Sequence, residues 1–285
     1  EGIDSSARSP VWMTERLRKS GLRAIHPVVD VTNYVMLELG QPLHAYDRDH
    51  VTGTVRPRYA NAGEKVTLLD GRDVELDDET VVITDDSGVI GMAGIMGGLS
   101  TMVTESTANV LFEAAFWPPE VMAGRARSYA MHTDASLRFE RGVDIDGVIT
   151  AQARAALLIQ ELAGGTIAQG KIDCYPNPLP SVQIDFRVER CNRILGTNLS
   201  KELIYQYLVA LGVTIDQHTD EGFQLTVPSS RPLLTREIDL IEEVARLHSY
   251  GNIEVTDPQA TLKPISSNRL QSTSQRARDF FVGQG

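Results

Sequence analysis

A proline-rich segment, Pro176-Asn-Pro-Leu-Pro180, constrains the fold of this chain more than any other feature. Proline fixes φ and has no backbone N–H, so neither a helix nor a sheet strand continues through such a run. At 285 residues the chain can hold two cores, because a single core usually stops growing near ~250–300 residues. We therefore predict one unit over residues 1–175, a linker over 176–180 and a second unit over 181–253. A tail over 254–285 would lead into a missing next domain.

The first unit is predicted to be rich in short strands. Turn signals such as Asp70-Gly71 separate apolar segments, and Asp-Gly between apolar residues favours a hairpin. Helices are predicted at Pro10–Ser20 and at Val148–Ala163, the second ending at two glycines. Residues 28–37 fit a helix or a strand by period, and their valines and threonine favour a strand at the start. The predicted strands are 55–59, 66–69, 81–84, 89–92 and 109–116.

The second unit is predicted to read strand, helix, helix, strand, strand, helix. Ser200 is expected to cap a helix that stops at Gly212, since serine favours the N-cap and glycine the position after a helix. Residues 219–222 are expected to turn a hairpin, and Thr235 to cap the last helix. The unit is therefore small and compact, with mixed secondary structure.

Charge and composition limit the classes of function. A formal net charge of -11 disfavours a non-specific grip on duplex nucleic acid, so any contact with nucleic acid must be local. The segment 124–144 carries four arginines, whose planar guanidinium groups pair with phosphate oxygens: Arg125, Arg127, Arg138 and Arg141. The alternative is that these arginines pair with Asp134, Glu140 and Asp144 on an ordinary solvated surface.

Cysteine usage and hydropathy bear on the compartment. Cys174 and Cys191 are too few for a disulfide framework and lack metal-site spacing, which fits a reducing cytoplasm. No stretch approaches the ~20 uninterrupted apolar residues of a membrane span, and no leader peptide is evident. We expect a cytoplasmic protein that is soluble and not exported.

Five blocks of sequence together resemble the β subunit of bacterial phenylalanyl-tRNA synthetase, always in that family's order. They are Gly21–Asp47, Gly91-Met-Ala-Gly-Ile-Met-Gly-Gly98, Leu111-Phe-Glu-Ala-Ala-Phe116, Gly124–Asp144 and Asp239-Leu-Ile-Glu-Glu-Val-Ala-Arg246. The resemblance covers nearly the whole chain. It implies an α+β fold, with a β-rich mixed editing domain followed by a small helix-and-wing α/β module. Because the chain begins without methionine and stops near Phe280 as an amphipathic helix opens, we expect a fragment of a longer subunit.

The resemblance also implies a function, which is hydrolysis of tyrosyl-tRNA made in error on phenylalanine tRNA. A synthetic pocket built for a phenylalanine ring cannot strongly exclude an analogue that only adds a hydroxyl, so a second site must read that hydroxyl. The family's ATP and phenylalanine pockets belong to its α subunit, so the implied partners are that subunit and the tRNA, in an α2β2 heterotetramer. The alternative is a non-catalytic scaffold that binds tRNA or the subunit through an inert pocket.

The site residues follow from the resemblance, position by position. His44 corresponds to the family's catalytic histidine, and the substrate-binding positions are Asn33, Gly94, Glu113, Thr133 and Ala135. The residue types themselves suit the task. Glu113 lies in an apolar segment, where an ionised carboxylate needs a donor such as a phenol. Its alternative is a structural acid bound by Arg125 or Arg127. At Gly94 a missing side chain would admit a ligand, whereas Gly97 and Gly98 fit better as plain turn glycines.

His44 could accept a water proton or orient an ester near neutral pH. Alone, such a histidine is more often a hydrogen-bonded surface residue. His26 and His132 are expected to be structural or peripheral, because no two histidines have metal-ligand spacing. No Ser-His-Asp or Cys-His pairing is evident, so hydrolysis is expected to use a positioned water, with the tRNA ribose hydroxyl as a further candidate.

The last predicted helix carries acidic residues on one face. Asp239, Glu242 and Glu243 stand at i, i+3 and i+4, which could hold Mg²⁺ through carboxylate oxygens. The resemblance implies that this magnesium site is shared with the α subunit. One expected ligand, an aspartate six residues before Asp239, is Leu233 here. The alternative is a solvated acidic face on which Glu242 pairs with Arg246.

Overall fold

The computed structural model describes residues 1–256 and 268–285. The helices are α1 (Val11–Lys19), α2 (Pro27–Leu39), α3 (Pro119–Met122), α4 (Arg125–Ser128), α5 (Asp134–Arg141), α6 (Val148–Ala163), α7 (Val188–Leu195), α8 (Lys201–Ala210), α9 (Glu237–His248) and α10 (Arg269–Gln284). The strands are β1 (Leu43–Asp47), β2 (Arg56–Tyr59), β3 (Lys65–Thr67), β4 (Asp73–Glu75), β5 (Val81–Asp85), β6 (Gly88–Met92), β7 (Met96–Gly97), β8 (Val110–Ala114), β9 (Gln183–Arg187), β10 (Thr214–His218) and β11 (Gly222–Thr226). Helices and antiparallel sheets together make the α+β class that the sequence predicted.

Residues 27–39 form a helix, so the strand favoured for the start of the segment 28–37 is wrong. His26 is the N-cap, its Nδ1 accepting from the Val28 N–H at 3.3 Å, and Pro27 takes the first helical position. Gly40 ends the helix with a φ of 75°. β-branched residues cost at most ~0.7 kcal/mol each in a helix, whereas burying an apolar side chain contributes ~1.5–3 kcal/mol. Burial of α2 against α1, α6 and β1 therefore outweighs its propensity.

The first unit has two cores joined by a small third cluster. One core lies where α1, α2 and α6 pack on the two-stranded sheet β1-β8, and it includes Met13, Leu17 and Leu158. The other lies between the four-stranded sheet β2-β5-β6-β7, the hairpin β3-β4 and the short helices α3 to α5. Tyr46 of β1 packs with Ile83 and Ile90 in the third cluster, which connects the two sheets. The two sheets thus meet at the side chains of this cluster, which mark a seam between them.

The second unit has the predicted order of elements. Its sheet runs β10-β11-β9, with α7, α8 and α9 packed on a core that includes Phe186, Phe223 and Leu240. Ser200 caps α8 by accepting from the Leu203 N–H at 3.2 Å, as predicted. The predicted cap of α9 is wrong by one residue, since Arg236 rather than Thr235 is its N-cap.

The described part of the tail contains one helix, α10. The predicted tail over 254–285 lies partly outside the described residues, and α10 begins at Arg269 rather than near Phe280. Asn268 caps α10, and none of the described residues of this helix is buried. Within residues 1–256 and 268–285, no helix combines the length and apolar character that crossing a bilayer requires.

Candidate active site

A pocket opens along the seam between the two sheets of the first unit. It holds about 470 Å³ of empty space, its open mouth included. Strands β1 and β8, the β6–β7 hairpin and helix α5 each contribute to it, and Trp117 closes one side. The lining residues are mostly apolar and include Ile83, Met92, Ile95, Met96, Trp117, Ala135 and Phe139. The polar side chains are His44, Tyr46 and Glu113.

The pairing of β1 with β8 brings these three polar residues together. In the antiparallel register His44 lies opposite Glu113, and Tyr46 lies opposite Leu111. Residues two apart in a strand share a face, so His44 and Tyr46 point the same way. Glu113 is then diagonal to Tyr46, within reach of a long aromatic side chain. The register of one strand pair therefore builds the polar part of the pocket.

Glu113 is held by a phenol of the chain itself. The Tyr46 hydroxyl donates a short hydrogen bond to Glu113 Oε2, which corrects the alternative that Arg125 or Arg127 binds this carboxylate. Burial raises the pKa of Glu113, and the Tyr46 hydrogen bond partly offsets that rise. Burial and then the neighbouring Glu113 charge raise the pKa of Tyr46, so Tyr46 stays a protonated donor. Glu113 Oε1 accepts from no donor within the described residues and remains for a ligand.

His44 lies between Tyr46 and a glycine. Its ring meets the Tyr46 ring edge-on, with centroids 4.5 Å apart and planes at 81°. A Cβ at Gly97 would overlap the imidazole, so only glycine leaves room for His44 there. His44 Nε2 is buried and has no hydrogen-bond partner in the described part of the chain. Burial lowers the pKa of His44 to about 4, so the ring is neutral at pH 7. A neutral ring suits orientation of a ligand or water better than proton transfer.

The turn glycine of the β6–β7 hairpin is Gly94, which corrects the turn role expected for Gly97 and Gly98. The φ of Gly94 is +65°. A Cβ there would lie 2.7 Å from Met122 Cε, 2.9 Å from Phe139 Cδ2 and 3.0 Å from Trp117 Cδ1. Gly97 and Gly98 have ordinary φ values, and their missing side chains admit His44 and the Ile90 carbonyl instead. Gly94 therefore lines the pocket as backbone packed under three side chains.

Four of the six predicted pocket residues meet at this pocket: His44, Gly94, Glu113 and Ala135. Thr133 lies beside it, because Thr133 caps α5 and its Oγ1 donates to the carbonyl of the lining residue Ile95 at 3.1 Å. Asn33 is on α2, which packs against β1, and it is not among the lining residues. His26 caps α2 and His132 is exposed, as the prediction of peripheral roles requires.

Sequence reasoning missed two pocket residues that carry a hydrogen-bond donor, Tyr46 and the otherwise apolar Trp117. Tyr46 stands two positions after His44, a period-2 spacing that indicates a shared face once β1 is assigned as a strand. Trp117 Nε1 is buried and finds no acceptor within the described residues. Gln41 supports the wall beside them, its Nε2 donating to the carbonyls of Pro42 at 3.0 Å and Ala115 at 2.9 Å.

Two family models match the chain, the B3/4 domain over residues 1–164 and the tRNA synthetase B5 domain over residues 184–250. The phenylalanine–tRNA ligase β subunit of Geobacter metallireducens is 44% identical over 278 residues, which is 97% of this chain and 35% of that protein. That of Nitrosococcus oceani is 41% identical over 282 residues, covering 99% of this chain and 35% of that protein. The chain belongs to the phenylalanine–tRNA ligase β-subunit family. It spans about a third of the length of these relatives.

One solved structure is also similar to this chain, an N-terminal fragment of the phenylalanyl-tRNA synthetase β subunit from Pyrococcus horikoshii. The TM-score is 0.41 at 16% sequence identity, over 79% of this chain and 65% of that chain.

The arginines of the segment 124–144 divide into two kinds in this β-subunit family member. Arg125 pairs with Glu79 and lies 3.9 Å from Asp77, and Arg138 pairs with Asp134 at 3.0 Å. Only the second of these pairings was among the predicted alternatives. Arg127 and Arg141 are exposed and pair with no carboxylate in residues 1–256 or 268–285. Two of the four arginines therefore remain for an anionic ligand.

Two of the three carboxylates predicted to hold Mg²⁺ on α9, Asp239 and Glu243, are engaged within the chain. Asp239 accepts from the backbone of Thr235 and Arg236 and from the Arg236 guanidinium, and these hydrogen bonds hold its pKa below its usual range. Glu243 pairs with Arg246, which corrects the expected pair between Glu242 and Arg246. Leu233 is 73% exposed. Across the described residues, no three His, Cys, Asp or Glu side chains form a group fit for a metal ion. As they stand, these residues do not fit a resident Mg²⁺.

Proposed function

We propose that this chain is the editing part of a phenylalanyl-tRNA synthetase β subunit and hydrolyses tyrosyl-tRNA in preference to phenylalanyl-tRNA. The observation that carries the proposal is Glu113, a desolvated carboxylate on the wall of an otherwise mostly apolar pocket, with Oε1 open to a ligand. Such a pocket accepts an aromatic ring and reads a hydroxyl on it. The names of the relatives, phenylalanine–tRNA ligase β subunits, supply the matching biological context.

Selectivity would come from the cost of an unpaired carboxylate oxygen. A tyrosine hydroxyl would donate to Glu113 Oε1, while a phenylalanine ring would exclude water from that oxygen and offer nothing in return. An orphaned buried group costs roughly 1–3 kcal/mol, more if it is charged. The correct product would therefore bind poorly and escape hydrolysis.

The proposed reaction is ester hydrolysis by water. Water attacks the ester carbonyl carbon, the bond from that carbon to the ribose oxygen breaks, and the water proton ends on the ribose oxygen. The products are tyrosine and uncharged tRNA. Neutral His44 would orient the ester or the water through its unpaired Nε2. With a pKa of about 4 it is a poor general acid at neutral pH, so the proton would reach the leaving ribose oxygen through the neighbouring ribose hydroxyl or through solvent.

The tRNA would meet the chain beside α5. That helix supplies Ala135 and Phe139 to the pocket and ends at Arg141, while Arg127 lies on the neighbouring α4. Both arginines are exposed and available for phosphate. In the whole enzyme, ligation with ATP would belong to an α subunit in an α2β2 assembly. Magnesium at Asp239, Glu242 and Glu243 stays a prediction that depends on that subunit.

Deacylation assays on the 285-residue chain test the proposal. Tyrosyl-tRNA and phenylalanyl-tRNA, each on phenylalanine tRNA, are incubated with the chain, and rates without protein are subtracted. We expect at least tenfold faster hydrolysis of the tyrosyl ester. Binding of the same tRNA is measured in parallel. A chain that binds this tRNA and leaves both esters intact, or hydrolyses them equally, would overturn the proposal in favour of an inert scaffold.

A further inference from the structure

Tyr46 is a second phenol in a pocket that we expect to bind a phenol. It is 1% exposed, and both its ends touch the polar groups of the site. The ring edge packs on His44, and the hydroxyl donates to Glu113 Oε2. A phenylalanine would occupy nearly the same volume and keep the ring contact, so packing alone does not require the hydroxyl. The hydroxyl therefore needs an explanation beyond packing.

A carboxylate accepts hydrogen bonds at both oxygens, so a donor fixed on one oxygen sets the direction of the other. The Glu113 side chain would otherwise rotate about its last bond, since terminal torsions of glutamate are broad. Tyr46 is itself immobile because it is buried among Ile83, Ile90 and Ala93. The rigid phenol thus fixes the plane of the Glu113 carboxylate and leaves Oε1 toward the pocket.

We propose that Tyr46 is a positioning residue for selectivity: its bond to Glu113 Oε2 aims Oε1 at the hydroxyl of a phenolic aminoacyl ligand. The inference rests on the proposed function, because it assigns to Tyr46 a part in reading the tyrosine hydroxyl. In the bound state one carboxylate would accept from two phenols, one from the protein and one from the ligand.

The charge state of Glu113 supports the same role. Burial raises the Glu113 pKa and the Tyr46 bond lowers it, so loss of the Tyr46 hydroxyl raises that pKa further. Glu113 accepts best when ionised, hence Tyr46→Phe moves the pH at which selectivity appears upward. His44 faces Glu113 across the strand pair, but with a pKa of about 4 it stays neutral over the assay range. The other described pocket-lining side chains are uncharged.

On the helices around the pocket, the charges of α2 and Arg154 of α6 are engaged away from it, and Glu161 of α6 and Arg141 of α5 are exposed. On α2, which packs on β1, Asp30 accepts from Ser9 and from the Ile25 N–H, and Glu38 pairs with Arg154 of α6. On α6, which packs on β8, Gln152 donates to the Phe112 carbonyl. A change in the pH profile of Tyr46→Phe therefore reports on Glu113.

The experiment measures the ratio of tyrosyl-tRNA to phenylalanyl-tRNA deacylation, as kcat/KM, between pH 6.5 and 8.5. Tyr46→Phe is compared with the unaltered chain and with Tyr59→Phe, which removes an exposed hydroxyl outside the pocket. At pH 7 we expect Tyr46→Phe to lower the ratio about tenfold, the size of effect that loss of a hydrogen bond to a charged group gives. Because loss of the Tyr46 bond raises the Glu113 pKa, any change of this ratio with rising pH should be upward, while Tyr59→Phe should match the unaltered chain throughout.

The possible results separate the inference from the proposed function. An unaltered chain without tyrosyl selectivity overturns the proposed function and the inference with it. A selective unaltered chain and an equally selective Tyr46→Phe, with the same pH profile, overturn the inference alone. A uniform loss of both rates in Tyr46→Phe, which leaves their ratio unchanged, would show a merely structural role and also overturn it. Melting temperatures of all three proteins accompany the assay.

Discussion

Gly94 gives a quantitative test of how the pocket is built. Its φ of +65° lies in the left-handed region, and a Cβ would lie within 3.0 Å of side-chain atoms of Met122, Phe139 and Trp117. Left-handed backbone costs an alanine roughly 1–2 kcal/mol, and overpacking a core typically costs about 1–3 kcal/mol. Gly94→Ala should therefore lower the free energy of unfolding by about 2–5 kcal/mol.

A matched control separates the two contributions. Gly124 also has a positive φ, +77°, but a Cβ there would meet nothing within 4 Å. Gly124→Ala should lose only the backbone part, about 1–2 kcal/mol. Urea denaturation of both variants and of the unaltered chain measures the difference. Equal destabilisation by the two substitutions would refute the packing of Gly94 under those three side chains.

The same geometry changes what a larger residue at position 94 would report. If Gly94 only lined the pocket, a valine or phenylalanine there would block the ligand ring, and if Gly94 were only a turn residue, it would lower the melting temperature. Because the Cβ points at Phe139 and Trp117, which line the pocket, we now expect stability and deacylation to fall together. A Gly94→Phe chain with unchanged stability and deacylation would contradict this.

Two further predictions concern protons and magnesium. The folded pKa of His44, about 4, lies below its ordinary value of 6.5, so between these two pH values the native state binds fewer protons than the unfolded state and its stability falls as pH drops. Between pH 6.5 and 4, the free energy of unfolding of the unaltered chain should fall by up to about 3 kcal/mol more than that of His44→Gln, as measured by urea denaturation. If the two proteins show the same dependence of unfolding free energy on pH, the burial of His44 is refuted. Titration calorimetry should detect no Mg²⁺ binding to the chain or to Leu233→Asp, because Asp239 and Glu243 are engaged. If Leu233→Asp binds Mg²⁺ and the control Leu179→Asp, at another exposed leucine, does not, the result would instead establish a half-site on α9.

The sequence predicted the elements with clear boundary chemistry and failed where local preference competed with burial. The helix Val148–Ala163 was predicted to the residue, because its apolar period and terminal glycines agree. In α2 the valines and threonine pointed to a strand, and only His26, Pro27 and Gly40 at the ends indicated a helix. When three elements pack on a segment, the free energy of burial outweighs the intrinsic secondary-structure propensity of its residues.

The candidate site was predictable as a set of residues and not as a set of contacts. The resemblance placed His44, Gly94, Glu113 and Ala135, which the fold brings to one pocket. The partner of Glu113 could not be read from the sequence, because it depends on the register between β1 and β8, strands more than 60 residues apart in the chain. Spacing along the chain indicates faces, while register across strands decides which side chains meet.

The central claim is that Glu113 reads the hydroxyl of a tyrosyl ester, and Glu113→Gln tests it most directly. The measurement is the ratio of kcat/KM for deacylation of tyrosyl-tRNA to that of phenylalanyl-tRNA, with Glu161→Gln on the exposed face of α6 as the matched control. The account predicts a tenfold or greater loss of the ratio in Glu113→Gln, about 1.4–3 kcal/mol, with the control unchanged. An unchanged ratio in a folded Glu113→Gln protein would contradict it.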